Sequence, residues 1–331
     1  MLYFGVSRRV HFVWADLLSN NIPLVDLLSF EKQIYQGSIP DLSSLFTDKS
    51  RNSSYCFVVP HEAKFWTRTY TNYVNDLSKY YRIIYFNRGD FPRKLKISNS
   101  FELVNSKQVG TRKKSIIIPY NVISLDDLDV REYTLKPTIS FVGYIPKFTI
   151  GRIVPRTIGG AFHPLKNNGV LIRRSGIRSM RRSAMKKSFN IDIQIRNHYG
   201  GAISQVDNHS AFRAEFIDSM RNSDFVYSPR GDGNASQRFY EAISAGRIPI
   251  IPDSSVVLPR IVMNSWNTLI FKVGTLSLNM KEVVSKNWSL LDDSSYMHLQ
   301  ENLRDLYRKE LDYRTFIFNL FSKNNFHFHL K

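Results

Sequence analysis

A single cysteine, Cys56, stands in the 331 residues, so no disulfide framework can form, and the chain reads as one suited to a reducing compartment. Acidic residues are also scarce: 28 against 46 Lys and Arg, a formal net charge of +18. Such an excess implies an acidic partner: nucleic acid, anionic lipid, or an anionic sugar and its nucleotide. The usual nucleic-acid signatures are missing, with no zinc-finger spacing, no aromatic RNP-like strand and no continuous basic zipper. Long apolar runs are missing too. Arg8, Arg9, His11 and Asp16 interrupt the first 30 residues, so neither a signal peptide nor a membrane span is expected. The expected location is the cytoplasm, with at most a peripheral contact to an anionic membrane. The chain has no Gly-x-Ser-x-Gly elbow and no Walker lysine, and Gly231-x-Gly233 lacks the third glycine of a dinucleotide fingerprint.

Hydrophobic residues make up 43% of the chain, and its length suggests two domains. Strand-like runs at Tyr55–Val59, Arg82–Phe86, Ser115–Pro119, Thr138–Val142, Ile191–Ile195 and Leu269–Val273 alternate with helical stretches near 67–79, 210–221, 281–286 and 296–311. That alternation argues for an α/β fold with parallel sheets. The pattern restarts at Lys136, which places the domain boundary near 130–137, with domains at 1–135 and 136–331. The apolar segment Phe316–Phe321 is expected to pack, and a return to the first domain would bury it. Gly151–Gly176, rich in Gly, Pro, Arg and Asn, reads as a long loop.

Asp224–Asp253 carries the densest chemistry. Phe225-Val226-Tyr227 is a short buried strand, which Pro229, Gly231 and Gly233 break into a turn. Asn234 or Ser236 then caps a helix running to about Ala245, Gly246 ends it, and Ile248–Ile251 is a second strand. The turn gathers free backbone N–H groups, a helix N-terminus, Arg230 and Arg238 around one spot, which suits a phosphate. On the helix, Phe239, Ala242, Ile243 and Gly246 share the sheet-facing side, while Gln237, Arg238, Glu241 and Ser244 share the other. Glu241 lies roughly 7.5 Å further along the axis than Ser236. There its carboxylate would meet the hydroxyls of a ribose rather than a phosphate. The plainer alternative is an ordinary βαβ unit with Arg238 and Glu241 as a surface ion pair.

The same stretch resembles the signature of the exostosin-type glycosyltransferases: Ser228-Pro229-Arg230-Gly231-Asp232-Gly233, Ser236-Gln237-Arg238, Glu241-Ala242 and Gly246-Arg247-Ile248-Pro249-Ile250-Ile251. Leu258-Pro259 fits downstream; Ile116–Pro119, Phe141-Val142-Gly143 and Ile177-Arg178 fit more weakly upstream. Arg247 stands where the family often has cysteine. Residues 1–110 show no match. The resemblance implies a GT-B arrangement, two Rossmann-like domains facing a cleft, the first binding an acceptor and the second a nucleotide-sugar. It further implies an inverting transfer of a sugar, from a UDP-linked donor, to a saccharide or lipid-linked acceptor in polysaccharide biosynthesis. No cofactor and no metal are implied. Donor contacts would fall to Arg178, Arg230, Gly231, Gly233, Ser236, Arg238 and Glu241.

For the base that takes the acceptor's proton, His61 after a predicted strand comes first and Asp90 second. A surface histidine is the plainer reading of His61. Asp127-Leu128-Asp129 has the spacing of a metal-binding Asp-x-Asp, but Ser124 and Asp127 equally form the capping pattern of a short helix. Arg173–Lys187 holds seven basic residues and no acid. Arg178, Arg181, Arg182 and Lys186 fall near one helical stripe, either a contact for a nucleotide diphosphate or anionic acceptor, or a solvated face. His327 and His329 are too few to close a metal shell. The competing class is a non-enzymatic basic protein that binds nucleic acid, which accounts for the charge but not for the Ser-x-Arg-x-x-Glu arrangement.

Overall fold

The chain's central strands are apolar almost without interruption because both of their faces are covered. Thr138–Tyr144 is buried at every interior position, and Phe225–Tyr227 and Ile248–Pro252 are buried throughout. The computed structural model describes residues 24–26, 55–59, 68–80, 82–87, 95–107, 115–145, 165–166, 168–196, 209–231 and 233–322. Two units divide the chain: Met1–Pro119 with Val257–Arg260 and Phe316–Lys331, and Tyr120–Val256 with Ile261–Thr315. Among the described residues no helix is long and apolar enough to cross a membrane.

The first unit holds β1 (Leu24–Asp26), β2 (Tyr55–Val59), α1 (Arg68–Leu77), β3 (Arg82–Phe86), β4 (Ser100–Val104) and β5 (Ile116–Ile117). Its sheet runs β1-β2-β3-β4-β5, with every pairing parallel. Strand β4 is absent from the sequence expectation because Glu102 breaks its apolar run. The carboxylate is nonetheless buried. It accepts from Ser115 Oγ at 2.6 Å, Asn87 Nδ2 at 2.7 Å and the Tyr85 hydroxyl at 3.2 Å. Burial first, and then the neighbouring Glu102 charge, push the Tyr85 phenol upward.

The second unit holds β6 (Thr138–Tyr144), α2 (Gly169–Met185), β7 (Asn190–Arg196), α3 (His209–Arg221), β8 (Phe225–Tyr227), α4 (Gln237–Ser244) and β9 (Ile248–Pro252). It continues through the short helix α5 (Trp266–Leu269), β10 (Phe271–Val273), α6 (Met280–Trp288), α7 (Asp293–Leu306) and a π-helical turn at Tyr307–Leu311; the last helix, α8 (Tyr313–Ser322), begins in this unit and from Phe316 belongs to the first. All pairings are again parallel, in the order β10-β9-β8-β6-β7. From β6 the chain steps to β7 on one side, then returns to β8 on the other. Right-handed crossovers therefore put α2 on one face and α3 with α4 on the opposite face. The side chains agree. Val142 and Val226 pack with Phe216 and Met220 of α3 and Ala242 of α4, while the next residue, Tyr227, donates its hydroxyl to Ile172 O of α2 at 3.1 Å.

Three expectations need correction. Of the expected loop Gly151–Gly176, residues 169–176 are helix, while 151–164 and 167 lie outside the described residues. Asn168 caps α2 by accepting from Leu171 N at 3.1 Å, and the two glycines are there for space. A Cβ on Gly169 would come within 2.5 Å of Gly231 O, and one on Gly176 within 2.1 Å of the Tyr227 hydroxyl. Residues 124–128 form a turn rather than a capped helix, because Ser124 Oγ bonds the Asp126 carboxylate at 2.7 Å. Leu269–Val273 is split: Ser265 accepts from Asn267 N and opens α5, leaving Phe271–Val273 for the strand.

The amino end of this sheet is sealed by a polar network. Asp224, fully buried, accepts from Arg131 Nε at 2.8 Å, Thr138 N at 2.7 Å and the Tyr296 hydroxyl at 2.8 Å. Arg247 is also fully buried and donates to the carbonyls of Met220, Asp129 and Arg221 and to Gln300 Oε1. Arg247 thus closes the carboxyl end of α3 with its guanidinium.

Candidate functional site

At the opposite, carboxyl edge of the same sheet, the connections leave β6 and β8 in opposite directions. That topological switch point is where open parallel sheets bind ligands. Helices α2 and α4 and the start of α3 all follow strands that end there, so their positive ends converge on it.

The turn after β8 follows the strand as expected, but several of its polar groups are bonded internally. Ser228 N donates to Ile250 O, Gly231 N to Ala235 O at 3.4 Å, and Asn234 Nδ2 to Ser254 O at 2.9 Å. Arg230 is buried and donates Nη1 to Lys166 O at 2.7 Å. Gly231 lies directly on the first residue of α2, and Gly233 is buried. Ser236 is the N-cap residue of α4, with extended backbone, but its hydroxyl makes no capping hydrogen bond. The first turn of α4 therefore lacks an internal side-chain acceptor, which suits an incoming anion.

Arg238 departs from the expected sorting of the helix. Instead of standing on an outer face, its guanidinium reaches the end of β6. There Nη2 donates to Val142 O and the group lies over the Phe141 ring at 4.8 Å. Gly143 makes the room, since a Cβ there would come within 2.5 Å of Nη2. Nε is buried with no hydrogen-bond partner. Burial, then the charge of Arg173, bring its pKa down to about 10, which leaves it charged at neutral pH. Ser244 also leaves the outer face. It is fully buried and accepts from Leu125 N at 3.0 Å.

Glu241 does not pair with Arg238. Its ion pair is with Arg213 Nη1 of α3 at 2.6 Å, and the side chains are 30% and 13% exposed for Arg213 and Glu241. Arg213 lies over Phe216 at 5.1 Å, and its Nη2 is buried without a partner. Arg196, the last residue of β7, repeats the construction: over Phe212 at 4.9 Å, Nη2 donating to Phe212 O, and Nε buried without a partner. Arg173 of α2 donates Nε to Arg230 O at 3.0 Å and Nη1 to Tyr144 O at 2.9 Å, tying the turn to the end of β6.

Arg230, Gly231, Gly233, Ser236, Arg238 and Glu241 thus lie along the β8–α4 turn and α4, with the Arg230 guanidinium turned to Lys166 O, that of Arg238 to Val142 O and the Glu241 carboxylate to Arg213. Arg178 lies on the exposed outer face of α2, with Arg181, Arg182, Lys186 and Met185. From the same basic run, it is Arg173 that reaches the turn. Sequence reasoning missed Arg196 and Arg213 altogether. The only available signal was an arginine close to a phenylalanine, which is too common to single out. His61 and Asp90 lie outside the described residues. Among the described residues, no group of three or more His, Cys, Asp or Glu, with Asp127 and Asp129 or without them, is placed to hold an ion.

No protein-family model matches the chain, and no curated protein matches it in sequence. Solved structures similar to it include an alpha-glucosyltransferase in complex with UDP and a 13-mer DNA, at 13% identity, TM-score 0.39, covering 85% of this chain and 80% of that one. A glycosyltransferase from Rickettsia africae ESF-5 is similar at 12% identity, TM-score 0.41, covering 99% and 95%. The catalytic domain of starch synthase IV from Arabidopsis thaliana, bound to ADP and acarbose, is similar at 10% identity, TM-score 0.38, covering 91% and 75%. These scores are low, and none of the three assigns a role to a residue of this chain.

Proposed function

We propose that the chain is a glycosyltransferase whose second unit binds the diphosphate of a nucleotide-sugar donor, UDP-linked by preference. The observation that carries this reading is the buried, unpartnered Nε–H of Arg238 at the switch point, beside the uncapped first turn of α4. Leaving such donors unpaired costs about 1–3 kcal/mol each, which an anionic ligand recovers. The order of residues shared with the exostosin signature supports the enzyme class.

In the reaction, an acceptor hydroxyl attacks the anomeric carbon and the bond from that carbon to the diphosphate oxygen breaks. The electron pair stays with the diphosphate, the hydroxyl proton passes to a base, and the configuration inverts. The charge that grows on the leaving group is met by Arg238 and the start of α4. Glu241, held by Arg213, has a second carboxylate oxygen with which to accept from the ribose hydroxyls. Because cationic side chains carry the leaving charge, turnover is expected to survive EDTA.

The test is a melting-temperature screen with UDP-, ADP- and GDP-sugars beside a nucleic-acid shift assay. A donor at about 100 times its Kd stabilises by about 2.7 kcal/mol, which should raise Tm by about 5 °C. No shift with any nucleotide, together with tight and salt-sensitive binding of a nucleic-acid duplex, would favour the non-enzymatic reading.

The acid-free outer face of α2 is the proposed contact for a lipid-linked acceptor at an anionic membrane. Vesicles containing phosphatidylserine should bind the wild type at low salt and release it as salt rises. The double charge reversal Arg181→Glu with Arg182→Glu should abolish that binding while UDP binding stays unchanged. Equal vesicle binding by the double variant would make the face a solvated one.

A further inference from the structure

The donor site contains more prepared cations than one phosphate needs, and they are arranged in a pattern. Arg196 ends β7, which pairs in register with β6, Tyr144 opposite Arg196 and Gly143 opposite Ile195. Arg238 reaches the same edge one strand over, at Val142 O and Gly143. Each guanidinium lies over one phenylalanine ring, Phe212 at 4.9 Å and Phe141 at 4.8 Å. Each spends one Nη on a backbone carbonyl, and each keeps a buried Nε–H with no partner. A stacked and anchored guanidinium has lost its rotamer freedom before ligand arrives, so little ordering entropy remains to oppose binding.

The neighbouring carboxylates offset part of the charge on this pair but take up neither Nε–H. Glu215 is 3.9 Å from Arg196 Nη2, beyond hydrogen-bond reach, and is 55% exposed. Glu241 is engaged by Arg213. Burial lowers the Arg238 pKa most, then the Arg173 charge; Glu241 opposes this, and Arg196 adds the smallest contribution. Two guanidinium groups at the ends of adjacent strands, each with an unpartnered Nε–H, suit a ligand with two linked anionic groups.

We propose that Arg196 is a second diphosphate-binding residue, forming with Arg238 a two-guanidinium clamp across the end of β6 in which each arginine takes one phosphate. The proposal rests on the donor-site reading above. Arg213 stands outside the clamp: with Nη1 committed to Glu241, it positions that carboxylate.

A clamp predicts preference as well as affinity. The wild type should bind inorganic pyrophosphate and UDP well above phosphate and UMP. Arg196→Gln should lose roughly 10–100-fold in pyrophosphate and UDP affinity, the range of one charge-assisted contact, while UMP affinity changes far less. The UDP-to-UMP ratio should therefore collapse. Arg196→Lys keeps the charge but not the planar fork or the Nε–H, and should fall between the two. It also serves if the glutamine variant melts early. Isothermal titration with the four probes reads all of this. If the wild type binds UDP and pyrophosphate but Arg196→Gln and Arg196→Lys keep its UDP-to-UMP ratio, the clamp is wrong and the donor site stands. If the wild type binds neither UDP nor pyrophosphate, the clamp and the donor site fall together.

Discussion

Arg238→Ala should lower turnover by roughly 100-fold or more while weakening UDP binding by only about 10-fold. The asymmetry follows from where charge develops. In the ground state the diphosphate is bridged to the sugar; as the bond breaks, the bridging oxygen takes the electron pair. A guanidinium already fixed at that spot then interacts more strongly than before, and removing one such preorganised donor costs about 10²–10³ in rate. Arg238 is fixed from three sides, by the Phe141 ring, Val142 O and the space left by Gly143. Single-turnover rates beside calorimetric titration of UDP separate the two effects. Glu241→Gln gives the contrast: by weakening the acceptor for the ribose it should reduce donor and UDP binding alike and leave the bound-state rate close to wild type. Two folded variants that bind UDP and turn over like the wild type would place the nucleotide elsewhere.

At the other end of the sheet the largest expected effect is on stability. Asp224→Ala removes a fully buried carboxylate and strands three donors, Arg131 Nε, Thr138 N and the Tyr296 hydroxyl. Breaking a buried pair by removing one partner costs about 3–5 kcal/mol. The lower end is expected here, because Arg131 is 23% exposed and water can solvate it in part. Tyr296→Phe removes one donor and keeps the ring packed against Trp288 and Tyr133, so it should cost about 1 kcal/mol. Urea unfolding measures both. A loss under 1 kcal/mol for Asp224→Ala would mean that the network contributes little. UDP affinity of the folded variants should not change, since the network lies at the edge away from the arginines.

Local chemistry made some of this legible in the sequence. The β8–turn–α4–β9 unit follows from an apolar triplet, a Pro and two Gly, a Ser cap and a Gly with φ of +70° at position 246. These signals act within a few residues of one another. Arg196 and Arg213 were illegible because their meaning comes from strand register and from rings on α3, which no spacing encodes. Arg178 is singled out by the family resemblance alone, and the sequence does not show that Arg173 is the member of the basic run on the side of α2 facing the turn. Helix α2 itself was hidden at its start by Gly169 and Gly176, which read as loop residues until the Gly231 carbonyl and the Tyr227 hydroxyl are seen pressing on them. Strand β4 was hidden by Glu102, whose burial is tolerable only because donors from three other positions reach it.

The carbonyls around Arg247 also set an order of assembly. Its acceptors come from Asp129, Met220, Arg221 and Gln300, the last on α7. A growing chain that has passed β9 already carries the guanidinium but not yet Gln300. Until α7 has been made, the cation can stay in water or enter the core with its bonds incomplete, and the second choice is costly. Closing the network joins residues far apart in the chain, and such contacts form late. The carboxyl edge, whose β8–α4 turn and helix come from neighbouring residues, can begin to form before the far edge locks, so this unit is expected to close from its carboxyl edge towards its amino edge.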